Sequence, residues 1–490
     1  MYGTTERQGE KGLPRNNSPP PSRSLTGLLV SVMGFFMFGM LGVVILLPRG
    51  APVAALEGAP RHQHLVDNKN LDLPEEVSDL TMYAGFVPTN LEKPELDSHL
   101  FYWMLKSQTE GPKPLVIWLN GGPGASSLTG VLLELGPFLL ERSGELKYNE
   151  FGWTQEAHVV AIDNPVGAGF SYTSSEEVDG EGYVNSLGEM AEQLYIGIFG
   201  ILDLHPWLKD SPIFIAGESY AGKYIPAISH YILEKSREGD DRVNLKGIAI
   251  GNGELKPYTA YASTPDYLRN LGLIDVKQQT WAHEALKACK AQVDAEEWIA
   301  AFETCQGIED HLFAEFVQIP FIYDIREKTD FFTDLTAVAT DWLNKPEVHE
   351  ALNVGDRPWR QSDGQGPSSI GRPVPEHLKL DEMQDIPDSV ITDLIDSYRV
   401  MLYSGQYDGS SCNFLGTERM LDDLVWEGKD DYEASERHVW KVDGSVAGYA
   451  KGSTESFSYV LVANSGHLVP TNQPENALDM LRRFINNEEF

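Results

Sequence analysis

Six short runs of apolar and β-branched residues recur along the chain, and each ends at or near Gly, Asn or Asp. Runs of this length are typical of strands that are buried on both faces of a parallel sheet. Amphipathic stretches with helical spacing lie between several of them, which predicts an α/β fold with a mostly parallel central sheet. The predicted strands are residues 115–119, 158–162, 212–216, 247–250, 400–403 and 459–462, and the predicted helices are 128–135, 188–201, 224–235 and 477–485.

Two regions depart from this alternation. Residues 257–375 hold helical and irregular segments with charge clusters, and we interpret them as a largely helical cap insertion over the strand ends. The α/β core is then 76–256 together with 376–490. Before it come a polar, cytosolic tail at 1–27, an uncharged apolar run at 28–47 and a linker at 48–75.

The apolar run from Leu28 to Leu47 is long enough to cross a bilayer of about 30 Å at about 1.5 Å per residue. Basic residues precede it, which predicts a cytosolic N-terminus and a translocated remainder. It is either an uncleaved signal anchor of a type II membrane protein or a signal peptide that is cleaved near the small residues 51–55. Both predict an endomembrane lumen (lysosome or vacuole) or secretion.

Charge and composition exclude several classes of function. A formal net charge of −35 repels nucleic acid and anionic membranes. The chain has neither a Gly-x-Gly-x-x-Gly nor a Walker loop, and no Cys/His cluster with metal-ligand spacing, so no cofactor and no metal are predicted. Of three cysteines, Cys289 and Cys305 are close enough in sequence to form a disulfide within the insertion. Cys412 is then a buried free thiol.

The strongest candidate for chemistry is Ser219. It lies in residues 217–222, Gly-Glu-Ser-Tyr-Ala-Gly, between a predicted strand and a predicted helix. A sharp strand-to-helix turn of this kind presents a serine hydroxyl beyond the end of a sheet, as a nucleophile. The alternative is a serine in an ordinary βα loop, since Ala221 stands where the strict pattern has glycine.

Asp408 and His467 each follow a predicted strand as well. Taken singly, they are more ordinarily an aspartate of an Asx turn and a hydrogen-bonded loop histidine. Together with Ser219 they give the chain order Ser, Asp, His, which is the order of α/β-hydrolases. The three therefore predict a nucleophile with a base and an orienting acid.

The Gly-rich segment 119–127 follows another predicted strand and opens a helix. Bare backbone N–H groups in such a turn attract negative charge. We predict an oxyanion hole formed by the backbone N–H groups of Gly122 and Tyr220. The alternatives are a phosphate loop, which here lacks the Walker lysine, and a plain tight turn.

These motifs, and others over roughly residues 80–490, make the chain similar to the serine carboxypeptidases, which are acid-active α/β-hydrolase peptidases. Residues 446–449 and 397–399 most resemble the vitellogenic-like and retinoid-inducible branch. The matching segments are WLNGGPG at 118–124, DNPVGAGFSY at 163–172, GESYAGKY at 217–224, GIAIGNG at 247–253, NKPEV at 344–348 and GHLVP at 466–470.

The resemblance implies Ser219 as nucleophile, His467 as base and Asp408 as its orienter, acting on peptide C-termini through an acyl-enzyme. It also implies that Asn120, Gly121 and Glu218 bind the C-terminal carboxylate of the substrate. Glu218 would share a proton with that carboxylate, which explains a preference for acid. A homodimer is a compatible assembly.

Two other functions remain open. A related acyltransferase would use the same three side chains on ester donors, but such relatives tend to alter the carboxylate-binding residues, and Asn120 and Glu218 are intact here. A non-catalytic partner that stabilises other lumenal enzymes would not need Ser219, Asp408 and His467 together.

Overall fold

The computed structural model describes residues 64–174, 180–361 and 373–490. Ten strands form one sheet in the order β1-β2-β6-β3-β7-β8-β9-β12-β11-β10, and β4 and β5 form a separate hairpin. The strands are β1 Met82–Pro88, β2 His99–Leu105, β3 Leu115–Leu119, β4 Phe138–Leu140, β5 Leu146–Tyr148, β6 His158–Ile162, β7 Ile213–Glu218, β8 Leu245–Gly251, β9 Arg399–Gly405, β10 His438–Val442, β11 Ser445–Gly452 and β12 Phe457–Val462.

The centre of the sheet is parallel. Strands β6, β3, β7, β8, β9 and β12 lie side by side in one direction, and antiparallel strands flank them at both edges. These six strands are the six apolar runs of the sequence, and every residue of β3, β6, β7 and β12 is buried. The predicted α/β fold with a mostly parallel sheet is therefore confirmed.

Helices cover both faces of the sheet, and all four helices predicted from the sequence are present. The first, α1, continues as a π-helical turn over Val131–Leu135. The helices are α1 Leu128–Gly130, α2 Leu187–Leu204, α3 Ala221–Arg237, α4 Pro257–Asn270, α5 Val276–Asp294, α6 Trp298–His311, α7 Phe331–Leu343, α8 Pro346–Ala351, α9 Pro373–Leu378, α10 Asp388–Ser397, α11 Phe414–Asp423, α12 Lys429–Ala434, α13 Val469–Asn472 and α14 Pro474–Asn486.

The four antiparallel strands β1, β2, β10 and β11 were not among the predicted elements. Strand β2 is almost wholly buried, yet it lies outside the run of strand–helix units that the prediction used. Strand β10 is short and mostly exposed, so its hydrophobic pattern is weak. Strands at or next to the edge of a sheet depend on pairing with their neighbours. The hydrophobic pattern along the chain does not reveal which strands pair.

The described part of the insertion between β8 and β9 is helical, and it begins with α4, α5 and α6. Cys289 of α5 and Cys305 of α6 are joined by a disulfide, and Cys412 is a buried free thiol. Apolar side chains from α4, α5 and α6 form a separate cluster around that disulfide. The boundaries 257–375 stay a prediction, and Ala59–Phe490 form one compact unit.

Of the N-terminal segments predicted from the sequence, only the end of the linker, from residue 64 onward, lies within the described residues. The tail and the run from Leu28 to Leu47 lie outside the described residues. Residues 64–75, part of the predicted linker, pack on the core: Leu65 pairs with Tyr83, and Val66 and Leu71 are buried. Their polar, turn-forming neighbours hide these apolar positions in the sequence. Among the residues described, none of the helices is both long and apolar enough to cross a bilayer.

One glycine at the start of the first helix shows how closely that helix approaches the sheet. A Cβ at Gly130 would lie 2.0 Å from Nε1 of Trp118, which is a fully buried side chain of β3. We expect Gly130→Ala to lower the free energy of unfolding by about 1–3 kcal/mol, because the backbone or the indole must move. The measurement is chemical or thermal unfolding of the purified protein.

The matched control for this substitution is Gly307→Ala. Gly307 lies in the middle of α6 with open space around its Cα, so alanine there should stabilise the helix by about 1 kcal/mol or less. A Gly130→Ala protein as stable as wild type would contradict the close approach.

Candidate active site

Ser219 lies in the turn between β7 and α3. Its φ angle is +62°, in the left-handed region that residues other than glycine rarely adopt. Its backbone is held from two sides, because its N–H donates to Gly251 O at 3.0 Å and its carbonyl accepts from Glu254 N at 3.1 Å. The strained turn is thus fixed by the end of the neighbouring strand, as a nucleophile elbow requires.

His467 and Asp408 are in direct contact. Nδ1 of His467 and Oδ2 of Asp408 are 2.5 Å apart, and both side chains are buried. His467 follows β12, and Asp408 follows β9, its neighbour in the sheet. With Nδ1 bonded to the carboxylate, Nε2 is the nitrogen left for exchanging a proton with a hydroxyl.

Two residues that sequence reasoning missed hold the Asp408 carboxylate. Asn252 donates from Nδ2 to Oδ2 at 2.8 Å, and Ser410 donates to Oδ1 from both its backbone N–H (3.1 Å) and its hydroxyl (2.7 Å). Asn252 itself is fixed through its side-chain oxygen, which accepts from Gly405 N. Asn252 lies in a segment that matches the family, but only the fold shows that its amide reaches the acid.

Six of the predicted residues line one cleft. Ser219 and His467 share it with Asn120, Gly121, Gly122 and Glu218. Asp408 is fully buried behind His467. A serine hydroxyl, an imidazole, an amide and a carboxyl group thus surround one space that a substrate can enter.

The two segments predicted to form the oxyanion hole touch each other. A Cβ at Gly121 would lie 2.4 Å from the backbone nitrogen of Tyr220, so only glycine lets the Gly-rich loop approach the elbow this closely. Among the described residues, neither Gly122 N nor Tyr220 N has a hydrogen-bond acceptor. Free N–H groups beside a nucleophile are what an oxyanion hole needs.

Asn120 is held rigidly beside the cleft. Its side-chain oxygen accepts hydrogen bonds from the Trp118 indole at 2.8 Å and from Gly130 N at 3.0 Å. Its amide group donates to Oε1 of Glu218 at 3.0 Å and, at 3.3 Å, to Oε1 of Glu134. Both amide atoms are thus committed, which fixes the orientation of the side chain.

Glu134, on the π-helical turn Val131–Leu135, is the partner that the sequence did not reveal. Its carboxyl group and that of Glu218 are both buried, and both accept from the Asn120 amide, so the two acids lie side by side. Two buried carboxyl groups this close cannot both ionise without strong repulsion, so the pair favours a protonated form. Burial raises the pKa of Glu134 to about 7. Burial and the neighbouring Glu134 carboxyl raise the pKa of Glu218 well above its ordinary value.

The cap insertion closes one side of the cleft. Phe321, Tyr323 and Phe332 line it opposite the loops of the sheet. The carbonyl of Tyr323 also accepts a hydrogen bond from His467 N at 2.7 Å, and its ring lies 4.8 Å from the imidazole, centre to centre. The insertion therefore both shapes the cleft and holds the histidine loop.

One group of side chains in the described residues has metal-ligand geometry. Ligand atoms of His230, Glu234 and Asp393 lie within 4.8 Å of one another. Arg237 already donates to Glu234 at 2.6 Å and to Asp393 at 3.1 Å, so its guanidinium neutralises both carboxylates. We assign no metal to this exposed cluster, which lies on α3 and α10.

The sheet, the elbow and the Asp408–His467 pair define a hydrolase of the α/β-hydrolase fold. Residues 74–487 match the family model described as serine carboxypeptidase. The chain therefore belongs to the serine carboxypeptidase family, and its class of activity is that of a serine-type peptide hydrolase.

Similar proteins support this assignment. The venom serine carboxypeptidase of Apis mellifera is 34% identical over 86% of this chain and 88% of its own length. The vitellogenic carboxypeptidase of Aedes aegypti is 33% identical over 83% of this chain and 84% of its own. The crystal structure of Kex1(delta)p, a prohormone-processing carboxypeptidase from Saccharomyces cerevisiae, shares the fold, with a TM-score of 0.75 at 23% identity over 87% and 96% of the two chains.

Two further carboxyl groups are buried outside the residues that line the cleft. Glu309 of α6 and Glu382 are almost completely buried, and burial together with the nearby Glu254 carboxyl raises the pKa of each to about 8. The folded protein holds protons there that the unfolded chain releases near pH 4.5. Each group therefore contributes stability that is complete below about pH 4.5 and is lost as the pH rises toward 8.

We predict that the free energy of unfolding falls as the pH rises from about 6.5 to 7.5, and that Glu309→Gln reduces this slope by about 1.4 kcal/mol per pH unit. Burial lowers the pKa values of His158 and His205 to about 4, so these histidines make stability rise with pH below about pH 6.5. The range from pH 6.5 to 7.5 lies above that effect. Urea unfolding at several pH values measures the slope.

The control is Glu315→Gln, at an exposed position beyond the end of α6. It should leave the slope unchanged. Equal slopes for wild type and Glu309→Gln would show that Glu309 is ionised in the folded protein.

Proposed function

We propose that this protein removes single residues from peptide C-termini through an acyl-enzyme formed on Ser219. The observation that carries the proposal is the shared cleft, in which Ser219 and His467 lie beside Asn120 and Glu218. The first pair supplies acyl-transfer chemistry, and the second supplies a binding site for a free carboxylate. Together they select the last peptide bond of a chain.

In the proposed reaction, Oγ of Ser219 attacks the carbonyl carbon of that bond while Nε2 of His467 takes the hydroxyl proton. The proton then passes to the departing amine, the C–N bond breaks, and the C-terminal amino acid leaves. Water enters, gives its proton to His467 and attacks the ester, and Ser219 recovers its proton. Asp408 holds the imidazole in orientation and stabilises its positive charge.

The negative charge that develops on the carbonyl oxygen is to be stabilised by the N–H groups of Gly122 and Tyr220. Their lack of other acceptors in the described residues supports this role. Each such donor contributes about 10²–10³ in rate.

The terminal carboxylate is proposed to bind Asn120, the backbone of Gly121 and the Glu134–Glu218 pair. Asn120 would do so by exchanging its 3.3 Å hydrogen bond to Glu134 for one to the substrate. A carboxyl pair can accept this anion readily only while both of its groups are neutral. Because burial raises the pKa of Glu134 to about 7 and that of Glu218 well above its ordinary value, the pair is neutral in acid. It loses the first of its two protons as the pH passes neutrality, and the resulting negative charge repels the carboxylate. Substrate binding should then weaken, which supports an acid preference.

The intact carboxylate site favours a peptidase over an acyltransferase, since an ester donor offers no terminal carboxylate. It also disfavours a purely stabilising partner, because buried carboxyl pairs are costly to keep without a use. The branch that the sequence resembles includes the named vitellogenic relative, and peptides are the proposed substrates. A homodimer stays a prediction.

For localisation we propose the lumen of an acidic endomembrane compartment or secretion. The apolar run from Leu28 to Leu47 supports translocation, and either a type II anchor or a cleaved signal would fit it. The Cys289–Cys305 disulfide fits an oxidising compartment.

Ser219→Ala tests the nucleophile. Loss of the hydroxyl should lower kcat for a blocked dipeptide by about 10⁶-fold, because no acyl-enzyme can form. Release of the free amino acid is the measurement. The matched control is Ser229→Ala: Ser229 is a buried serine of α3 outside the cleft, and this variant should keep its activity. Turnover by a pure Ser219→Ala protein would refute the assignment.

Glu218→Gln tests the carboxyl pair. In wild type, KM for a blocked dipeptide with a free carboxylate should rise by up to about tenfold per pH unit above pH 7, as the pair loses its first proton and becomes an anion. An amide donates at every pH, so Glu218→Gln should flatten this rise, and the double variant Glu134→Gln/Glu218→Gln should abolish it.

The same dipeptide with an amidated C-terminus is the control substrate. Its KM should change neither with pH nor with these substitutions. An unchanged KM profile in the double variant would count against the pair as the source of the acid preference.

A further inference from the structure

We propose that Asp163 is a positioning residue for the oxyanion hole, and that it acts through Ser126 and couples the hole to Trp359 of the insertion. The inference rests on the proposed function of Gly122 and Tyr220 described above. Asp163 and Ser126 do not line the cleft, so neither is a catalytic residue. Their effect must pass through the loop that follows β3.

Asp163 lies directly after β6 and is completely buried. Its Oδ1 accepts hydrogen bonds from the Ser126 hydroxyl at 2.6 Å and from Ser127 N at 3.0 Å. Its Oδ2 accepts from Phe170 N at 2.8 Å. The carboxyl group thus connects the end of the Gly-rich loop to the segment that follows β6. A buried acid is costly unless it is fully hydrogen-bonded, so these contacts stabilise one another.

Ser126 uses its full hydrogen-bonding capacity. Its hydroxyl donates to Asp163 and accepts from Trp359 Nε1 at 2.9 Å and from Leu128 N at 3.2 Å. Its backbone N–H donates to Gln361 O at 2.8 Å. Trp359 and Gln361 belong to the insertion, so one serine connects the sheet, the first helix and the insertion.

The loop is anchored elsewhere by contacts that do not involve Ser126. Gly124 N donates to the Tyr224 hydroxyl at 3.2 Å, and Ala125 N donates to Gly121 O at 3.1 Å. Asn120 is held by Trp118 and by its neighbours described above. The Ala125–Gly121 hydrogen bond closes the turn around Gly122, so the turn moves as a unit when its Ser126 end is released. Removing the Ser126 hydroxyl should therefore shift Gly122 about the single Gly124 contact, while the separately held Asn120 side chain stays in place.

This separation gives the expected kinetics. Misplacing an oxyanion donor weakens the tetrahedral intermediate and not the bound substrate, so kcat falls while KM stays the same. We expect Ser126→Ala to lower kcat/KM by about 10- to 100-fold, the scale of a displacement of about 1 Å. Trp359→Phe, which loses only the indole N–H, should lower it by about threefold.

The test uses two matched ligands of the full-length protein. One is the aldehyde of a blocked amino acid, which forms a tetrahedral adduct with Ser219, and the other is the corresponding alcohol, which cannot. In Ser126→Ala, affinity for the aldehyde should fall by the same factor as kcat/KM, and affinity for the alcohol should not change. Equal loss for both ligands, or wild-type kcat/KM, would overturn the proposal.

Coupling to the insertion is measured by the double variant Ser126→Ala/Trp359→Phe. If Trp359 acts through Ser126, the second substitution should have no further effect on kcat/KM. If the two residues act independently, their fold-reductions in kcat/KM should multiply. Asp163→Asn should reproduce the Ser126→Ala pattern, provided that its melting temperature shows a folded protein.

The stability control is Asp479→Asn, because Asp479 of α14 accepts hydrogen bonds from Trp440, Arg482 and Arg483 outside the cleft. It should lower the melting temperature without changing kcat/KM per active site. Failure of the two proposals is distinguishable: turnover by Ser219→Ala would remove the proposed function, while an inactive Ser219→Ala beside a fully active Ser126→Ala would remove only this inference.

Discussion

The site depends on one geometric constraint, which is that neighbouring parallel strands end at the same edge of the sheet. Strands β3, β7, β8, β9 and β12 are consecutive in that sheet, and the loop after each contributes one part. In strand order these are the Gly-rich loop, Ser219, Asn252, Asp408 and His467. Adjacent strands lie about 4.8 Å apart, so side chains from neighbouring loops meet within hydrogen-bonding range.

The contacts across this edge are short because each loop is fixed to the next. The elbow donates from Ser219 N to the end of β8, and Asn252 beyond β8 donates to Asp408. Asp408 in turn bonds His467. A strained backbone such as that of Ser219 persists only where surrounding contacts hold it in place. This chain of hydrogen bonds provides those contacts.

Burial of carboxyl groups is the second organising feature. Glu134, Glu218, Glu309 and Glu382 are removed from water with few cations beside them, so each favours its neutral form in the folded protein. One physical cause thus acts on two properties. It favours the neutral form of the Glu134–Glu218 pair in acid, on which the proposed carboxylate binding depends, and it is the basis of the predicted loss of stability toward neutral pH.

The hydrophobic pattern of the sequence was sufficient to predict the six central strands and four of the helices that cover them. Strands buried on both faces are continuous apolar runs and are therefore easy to recognise. The same pattern also pointed to Ser219, Asp408 and His467, since each follows such a strand within a recognisable turn. The structure places His467 against Asp408 and in one cleft with Ser219, and their catalytic roles stay a proposal. The antiparallel strands that flank the parallel centre, β1, β2, β10 and β11, were missed, and the packed residues Val66 and Leu71 were placed in a linker.

Only the tertiary structure decided which distant groups meet. Glu134 reaches Glu218 from a helical turn, Ser126 joins Asp163 to Trp359, and Tyr323 of the insertion bonds the loop of His467. None of these pairs is encoded by a local pattern, because each contact follows from how separate elements pack. The sequence by itself therefore determined the fold class and the candidate side chains at the strand ends, and packing in three dimensions determined their partners and their protonation.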